Sequence, residues 1–65
     1  MKGGEMKRAE LVKQLSQGKS RKIREGTNHE IWYSEITGKT FAVPRHKKEI
    51  ATGTANNILK DAGLK

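Results

Sequence analysis

The chain contains no cysteine. A disulfide framework is therefore excluded, and so is a zinc site built from cysteines. No apolar run approaches the roughly 20 residues that a membrane-spanning helix needs. Residues 1–13 lack the apolar stretch of a secretory signal, which leads to the expectation of a cytoplasmic protein with no membrane partner. Hydrophobic residues make up only 32% of the 65. One small domain over 1–65 with a thin core is expected. Such a core supplies roughly 3–5 kcal/mol. Without disulfides the remaining aids are helix packing or a partner protein. Two histidines and scattered carboxylates show no ligand spacing such as His-Glu-x-x-His, so neither a metal nor a small-molecule cofactor is expected.

What the chain has in excess is positive charge. Lys and Arg total 14 against 7 Asp and Glu, a net +7. Such an excess favours a polyanionic partner, and nucleic acid is the usual one. The plainer reading is a solvated basic surface, and an anionic membrane is a third possibility.

Apolar periodicity organises the chain into α-β-β-β-α. Residues 5–17 read as a helix, with Leu11, Val12 and Leu15 on one face, extended by Met6 or the stem of Arg8, and Gly18 as its C-cap. Ser20–Glu25 reads as an edge strand guarded by Arg21, Lys22 and Arg24. Residues 28–34 and 39–43 are the clearest strands, rich in β-branched and aromatic types. A three-residue loop, 36–38, ending in Gly38 predicts a type I turn plus bulge. That register sets Tyr33 against Phe41 and Ile31 against Val43, all on one face, with Trp32 on the other. It also sets His29 opposite Arg45 and Asn28 near His46, so that 26–29 and 44–46 meet at one end of the sheet. Pro44 ends the third strand, 47–50 is a loop, and 52–62 is a helix that Thr52 caps and Gly63 stops. Its apolar face is Ala55, Ile58, Leu59 and Ala62. The expected fold is α+β: a three-stranded antiparallel sheet with two helices on one face.

At Gly26-Thr27-Asn28-His29 the chain resembles the HicA toxins of bacterial toxin–antitoxin pairs, which carry Gly-[Ser/Thr]-[Asn/His]-His at the start of the second strand. Gly18 stands eight residues before Gly26, as a helix-ending glycine does in that family. Val43-Pro44-Arg45-His46 is similar to its Val-Pro-[Arg/His]-[His/Pro] segment. Gly53-Thr54 and the run from Ile58 to Leu64 are similar to its closing helix. The likeness covers nearly the whole chain after Met6. Lys19 departs from it, standing where many relatives have an aromatic residue. The resemblance implies a double-stranded-RNA-binding-domain-like fold, histidine-dependent cleavage of mRNA, and a HicB-type antitoxin that masks the site.

The candidate catalytic residues are His29 and Arg45. Histidine titrates near neutral pH and can take a proton from a ribose 2′-hydroxyl or give one to a leaving oxygen. A neighbouring cation stabilises the charge that develops on phosphorus. The candidate substrate-binding residues are Lys22, Arg24, Thr27, Asn28, His46 and Lys47. Thr27 and Asn28 shape the turn and orient His29. His46 is either the second member of an acid–base pair or a loop histidine bonded to backbone. Tyr33, a lysine or water are the other possibilities for that second group. Lys47 and Lys48 either hold phosphate beside the second helix or are simply solvated. Trp32, exposed in this register, either meets a base or a partner, or packs on charged stems. The expected activity is a metal-free endoribonuclease. The alternatives are a non-catalytic RNA-binding module of the same fold and a structural basic protein of a nucleoprotein particle.

Overall fold

The computed structural model describes residues 4–65. Its elements are β1 (Glu5–Lys7), α1 (Arg8–Gln17), β2 (Ser20–Glu25), β3 (His29–Ser34), β4 (Thr40–Pro44), β5 (Glu49–Ala51) and α2 (Thr52–Asp61). Strands β2, β3 and β4 form an antiparallel sheet in that order, and β1 pairs with β5 in a separate two-stranded ribbon. Leu11 and Leu15 of α1 and Ala55, Ile58 and Leu59 of α2 pack with Trp32, Phe41 and Val43 on one face of the sheet. The fold is α+β and consistent with the double-stranded-RNA-binding-domain-like architecture.

The ribbon corrects two expectations. Residues 5–7 are strand and not the first turn of a helix, and 49–51 are strand where a loop was expected. Each segment has one apolar residue between polar neighbours, and Met6 faces Ile50 in the register. Ile50 is buried and Met6 packs against the core. A three-residue strand is too short to show a period, so only its partner, from the other end of the sequence, defines it. The amide of Arg8 continues the ladder to the Lys48 carbonyl, 2.8 Å away.

The register of β3 on β4 is shifted by one residue from the expected one. Trp32 pairs with Phe41, Tyr33 with Thr40 and His29 with Pro44. The cause is the turn. It holds four residues, 35–38, closed by the Ser34 amide donating to the Lys39 carbonyl, with Gly38 at φ +72°. Ser34 is buried; its hydroxyl donates to the Ala62 carbonyl and accepts from the amides of Ile36 and Thr37. A one-residue slip inverts the faces. Trp32 therefore lies in the core, 5% exposed, and Ile31 and Tyr33 are half-buried on the opposite face. Trp32 is not available to stack on a base or a partner. Its Nε1 donates to Glu30 Oε1 at 3.0 Å.

Helix α2 begins at Thr52 itself. Its N-cap is Ala51, with no side-chain cap bond, so Thr52 is the first helical residue and not the N-cap expected. Its end is as expected. Gly63 has φ +77°, its amide donates to Lys60, and the Leu64 amide donates to Leu59, which together satisfy the last carbonyls. Gly18 caps α1, but the left-handed residue there is Lys19, at φ 66°. What Gly18 supplies is space: an added Cβ would stand 2.4 Å from a methyl of Leu64.

Candidate active site

Two loops meet at the end of the sheet remote from the 35–38 turn. One is 26–28, between β2 and β3; the other is 45–48, after β4. The Gly26 amide donates to the His29 carbonyl at 2.8 Å, closing a tight turn, and a Cβ on Gly26 would stand only 3.1 Å from that oxygen. The Arg45 amide donates to the Asn28 carbonyl at 3.0 Å. The meeting of 26–29 with 44–46 is thus as the sequence predicts, although the residue opposite His29 is Pro44 rather than Arg45.

Arg45 holds this corner together. Its Nη1 donates to the Gly26 carbonyl and, at 3.5 Å, to that of Thr27, while Nη2 lies 2.6 Å from Glu25 Oε2. Glu25 also receives Lys22 Nζ at 3.0 Å. The Lys22 hydrogen bond, with the charges of Arg45 and Lys22, holds its carboxyl below the usual carboxylate range. His46 Nε2 lies 3.1 Å from the Thr27 carbonyl. A carbonyl only accepts, so Nε2 carries the proton there and the neutral ring presents Nδ1 as its basic nitrogen. Beneath the corner, Arg8 donates from Nε to the Pro44 carbonyl at 2.6 Å and pairs with Glu30 at 2.8 Å.

His29 differs from its neighbours. It is exposed, and its side chain has no hydrogen-bond or ion-pair partner among the described residues. It shares with Ile31 and Tyr33 the sheet face turned away from the helices. Arg24 joins it there through a bulge. The register of β2 on β3 shifts between Lys22 and Arg24, so that Lys22 pairs with Trp32 but Arg24 pairs with Ile31. The bulge therefore moves Arg24 from the helix side to the open side. That makes it the diagonal neighbour of His29 across the strand pair, a relation of about 7–8 Å between backbones. Arg24 has no partner among the described residues. Further along the same face, the Arg21 guanidinium stands 5.3 Å above the Tyr33 ring.

Of the sequence candidates, His29, Arg24, Thr27, Asn28, Arg45 and His46 are gathered at this corner. Lys22 is close but lies on the helix side, tied to Glu25 and 3.9 Å from Glu30. Lys47 is exposed and stands beyond His46. Sequence reasoning missed Glu25 and Arg8. An acidic residue directly before the turn glycine is the signal that pointed to Glu25; nothing local pointed to Arg8. Among the described residues, no group of three or more His, Asp or Glu is placed to hold a metal ion. No helix among them is long and apolar enough to cross a membrane.

Residues 8–64 match the family model described as the HicA toxin of bacterial toxin–antitoxin systems. The chain belongs to the HicA toxin family. No curated protein and no solved structure matches it. The matched span contains the whole corner around His29 and both helices of this HicA family member, and leaves out only β1 among the elements. Membership makes it the toxin half of a bacterial toxin–antitoxin pair, with an antitoxin as the implied partner.

Proposed function

We propose that this HicA toxin is an endoribonuclease that cleaves mRNA in the bacterial cytoplasm and is held inactive by a HicB-type antitoxin covering the corner at His29. The observation that carries the reading is the contrast at that corner. Arg45, Glu25, Lys22 and His46 are bonded within the corner, while the side chains of His29 and Arg24 have no partner among the described residues and share one face.

In this reading the ribose 2′-hydroxyl attacks the adjacent phosphorus. The O2′–P bond forms, the P–O5′ bond breaks, and a 2′,3′-cyclic phosphate and a 5′-hydroxyl result. His29 moves one of the two protons, from O2′ or to O5′. Arg24 faces the negative charge that develops on the phosphoryl oxygens. Arg45 is a positioning residue, since Glu25 and two carbonyls occupy its guanidinium. Thr27 and Asn28 supply the carbonyls that Arg45 and His46 grip, and Lys47 lies beside the path of the strand. His46 Nδ1 is a candidate for the second proton. The net +7 supports a polyanionic substrate.

The test is purified chain, with its His29→Ala and His29→Gln variants, on a labelled RNA. Wild type is expected to cut it and both variants to leave it whole while keeping the wild-type circular dichroism spectrum. Cleavage by folded His29→Ala overturns the assignment.

A further inference from the structure

A cleft of about 460 Å³ opens on the helix side of the same corner, lined by Lys7, Arg8 and Ala9 at the start of α1 and by 45–49 on the other wall. Five of the lining residues are Lys or Arg, one is His46, and only Glu49 is acidic. Arg8 and Arg45 are fixed posts, paired with Glu30 and Glu25. Lys7, Lys47 and Lys48 are exposed cations without an ion pair among the described residues. Their backbone is nonetheless held: the Lys48 carbonyl accepts the Arg8 amide, and Lys7 pairs with Glu49 in the ribbon. Here three lysines free of ion pairs among the described residues line one open concavity, which favours an anion there.

We propose that this cleft is a second phosphate subsite, which holds the backbone of a nucleotide flanking the one cleaved at His29. The inference rests on the ribonuclease reading. What joins the two places is the segment 44–46. Pro44 pairs with His29 on one side, and its carbonyl is held by Arg8 of the cleft on the other. Arg45 and His46 likewise belong to both the catalytic corner and the cleft wall. A single strand with its scissile phosphate at His29 crosses 44–46 and enters the cleft with its next phosphates. The lining contains no Phe, Tyr or Trp and is mostly cationic, so it favours a phosphodiester over a base.

The test measures binding of a fluorescent ten-nucleotide RNA to the His29→Ala chain over a range of salt. In that background Lys7→Gln with Lys48→Gln is compared with Lys13→Gln with Lys60→Gln. The second pair removes the same charge from exposed positions on α1 and α2. The cleft pair is expected to weaken binding several-fold and to flatten the plot of log affinity against log salt by about 0.7 per lost contact. The control pair is expected to change the slope much less. Equal effects of the two pairs overturn the subsite, leaving only net charge. Wild-type cleavage combined with unchanged binding by the cleft pair overturns the subsite and leaves the ribonuclease reading standing. Failure of the wild-type chain to cut RNA overturns both. Loss of antitoxin binding by the cleft pair, with RNA affinity kept, assigns the cleft to the protein partner instead.

Discussion

The guanidinium of Arg45 reaches back past the turn to Glu25, with Nη2 2.6 Å from Oε2, and so encloses 26–28 between the ends of β2 and β4. The loop that carries Asn28 up to His29 is therefore clamped from outside by a single ion pair that also grips two of its carbonyls.

If this clamp positions His29, its two halves act as one unit. Arg45→Lys and Glu25→Gln should each lower RNA cleavage, because lysine lacks the planar fork that reaches the carboxylate from one nitrogen and the carbonyls from the other. The double variant should be little worse than the poorer single one. Initial rates of the four proteins measure this; multiplicative losses would show that the residues act separately.

Arg24 should matter through charge alone. Arg24→Gln is expected to lower turnover by about 10²–10³-fold, with no change in thermal midpoint, since the side chain is exposed and unpaired. Lys22→Gln, on the other side of the bulge, should cost much less turnover. A reversed order would place the substrate on the helix side of the sheet.

The proposed chemistry uses the substrate's own hydroxyl. Cleavage should survive excess EDTA, and one 2′-deoxy substitution at the cut site should block it. A requirement for added magnesium, or equal cutting of the deoxy strand, would show that water or a metal-bound hydroxide is the nucleophile.

Two carboxylates give opposite pH behaviour. The pKa of Glu25 is lowered on folding by Lys22 and Arg45. Its contribution to stability is therefore present above the ordinary carboxylate value of about 4.3 and disappears as pH falls through the lowered value. Glu25→Gln should thus lower the thermal midpoint at pH 7 and have no effect once both states are protonated. The pKa of Glu5 is raised, through a hydrogen bond and charge repulsion from Glu49. Its favourable contribution is present at low pH and is lost as pH rises through the raised value. Glu5→Gln should therefore raise the midpoint at pH 7 and not at pH 3. Thermal melts of both variants at the two pH values decide the signs.

The thin core makes truncation severe. Leu15 is fully buried between α1 and the sheet. Leu15→Ala should cost about 2–5 kcal/mol, comparable with the roughly 3–5 kcal/mol a core of this size supplies. The isolated variant is expected to lose its cooperative melt, and antitoxin binding should restore it by mass action.

The sequence revealed the helices and the long strands because their apolar spacing is local, and the meeting of 26–29 with 44–46 follows from any hairpin near that register. The register itself was not legible. Glu35 reads equally well as a strand end or a turn residue, and the choice depends on Ser34, whose hydroxyl is used by the distant Ala62 carbonyl. The division of labour between Arg45 and Arg24 was hidden for a related reason. It depends on a bulge at Ile23, which is 51% exposed and carries no periodic signal.

The ribbon of β1 and β5 has a kinetic meaning. The meander β2-β3-β4 closes through short turns, whereas the ribbon joins segments near opposite ends of the sequence. Closing the longer loop loses more chain entropy, and contacts distant in sequence slow folding. The face that presents His29 and Arg24 belongs to the fast, local part of the chain. The wall that brings Lys7 and Arg8 against 45–49 exists only after the ends have met. The contacts of the histidine corner are therefore the ones expected to form first, and those of the lysine cleft last.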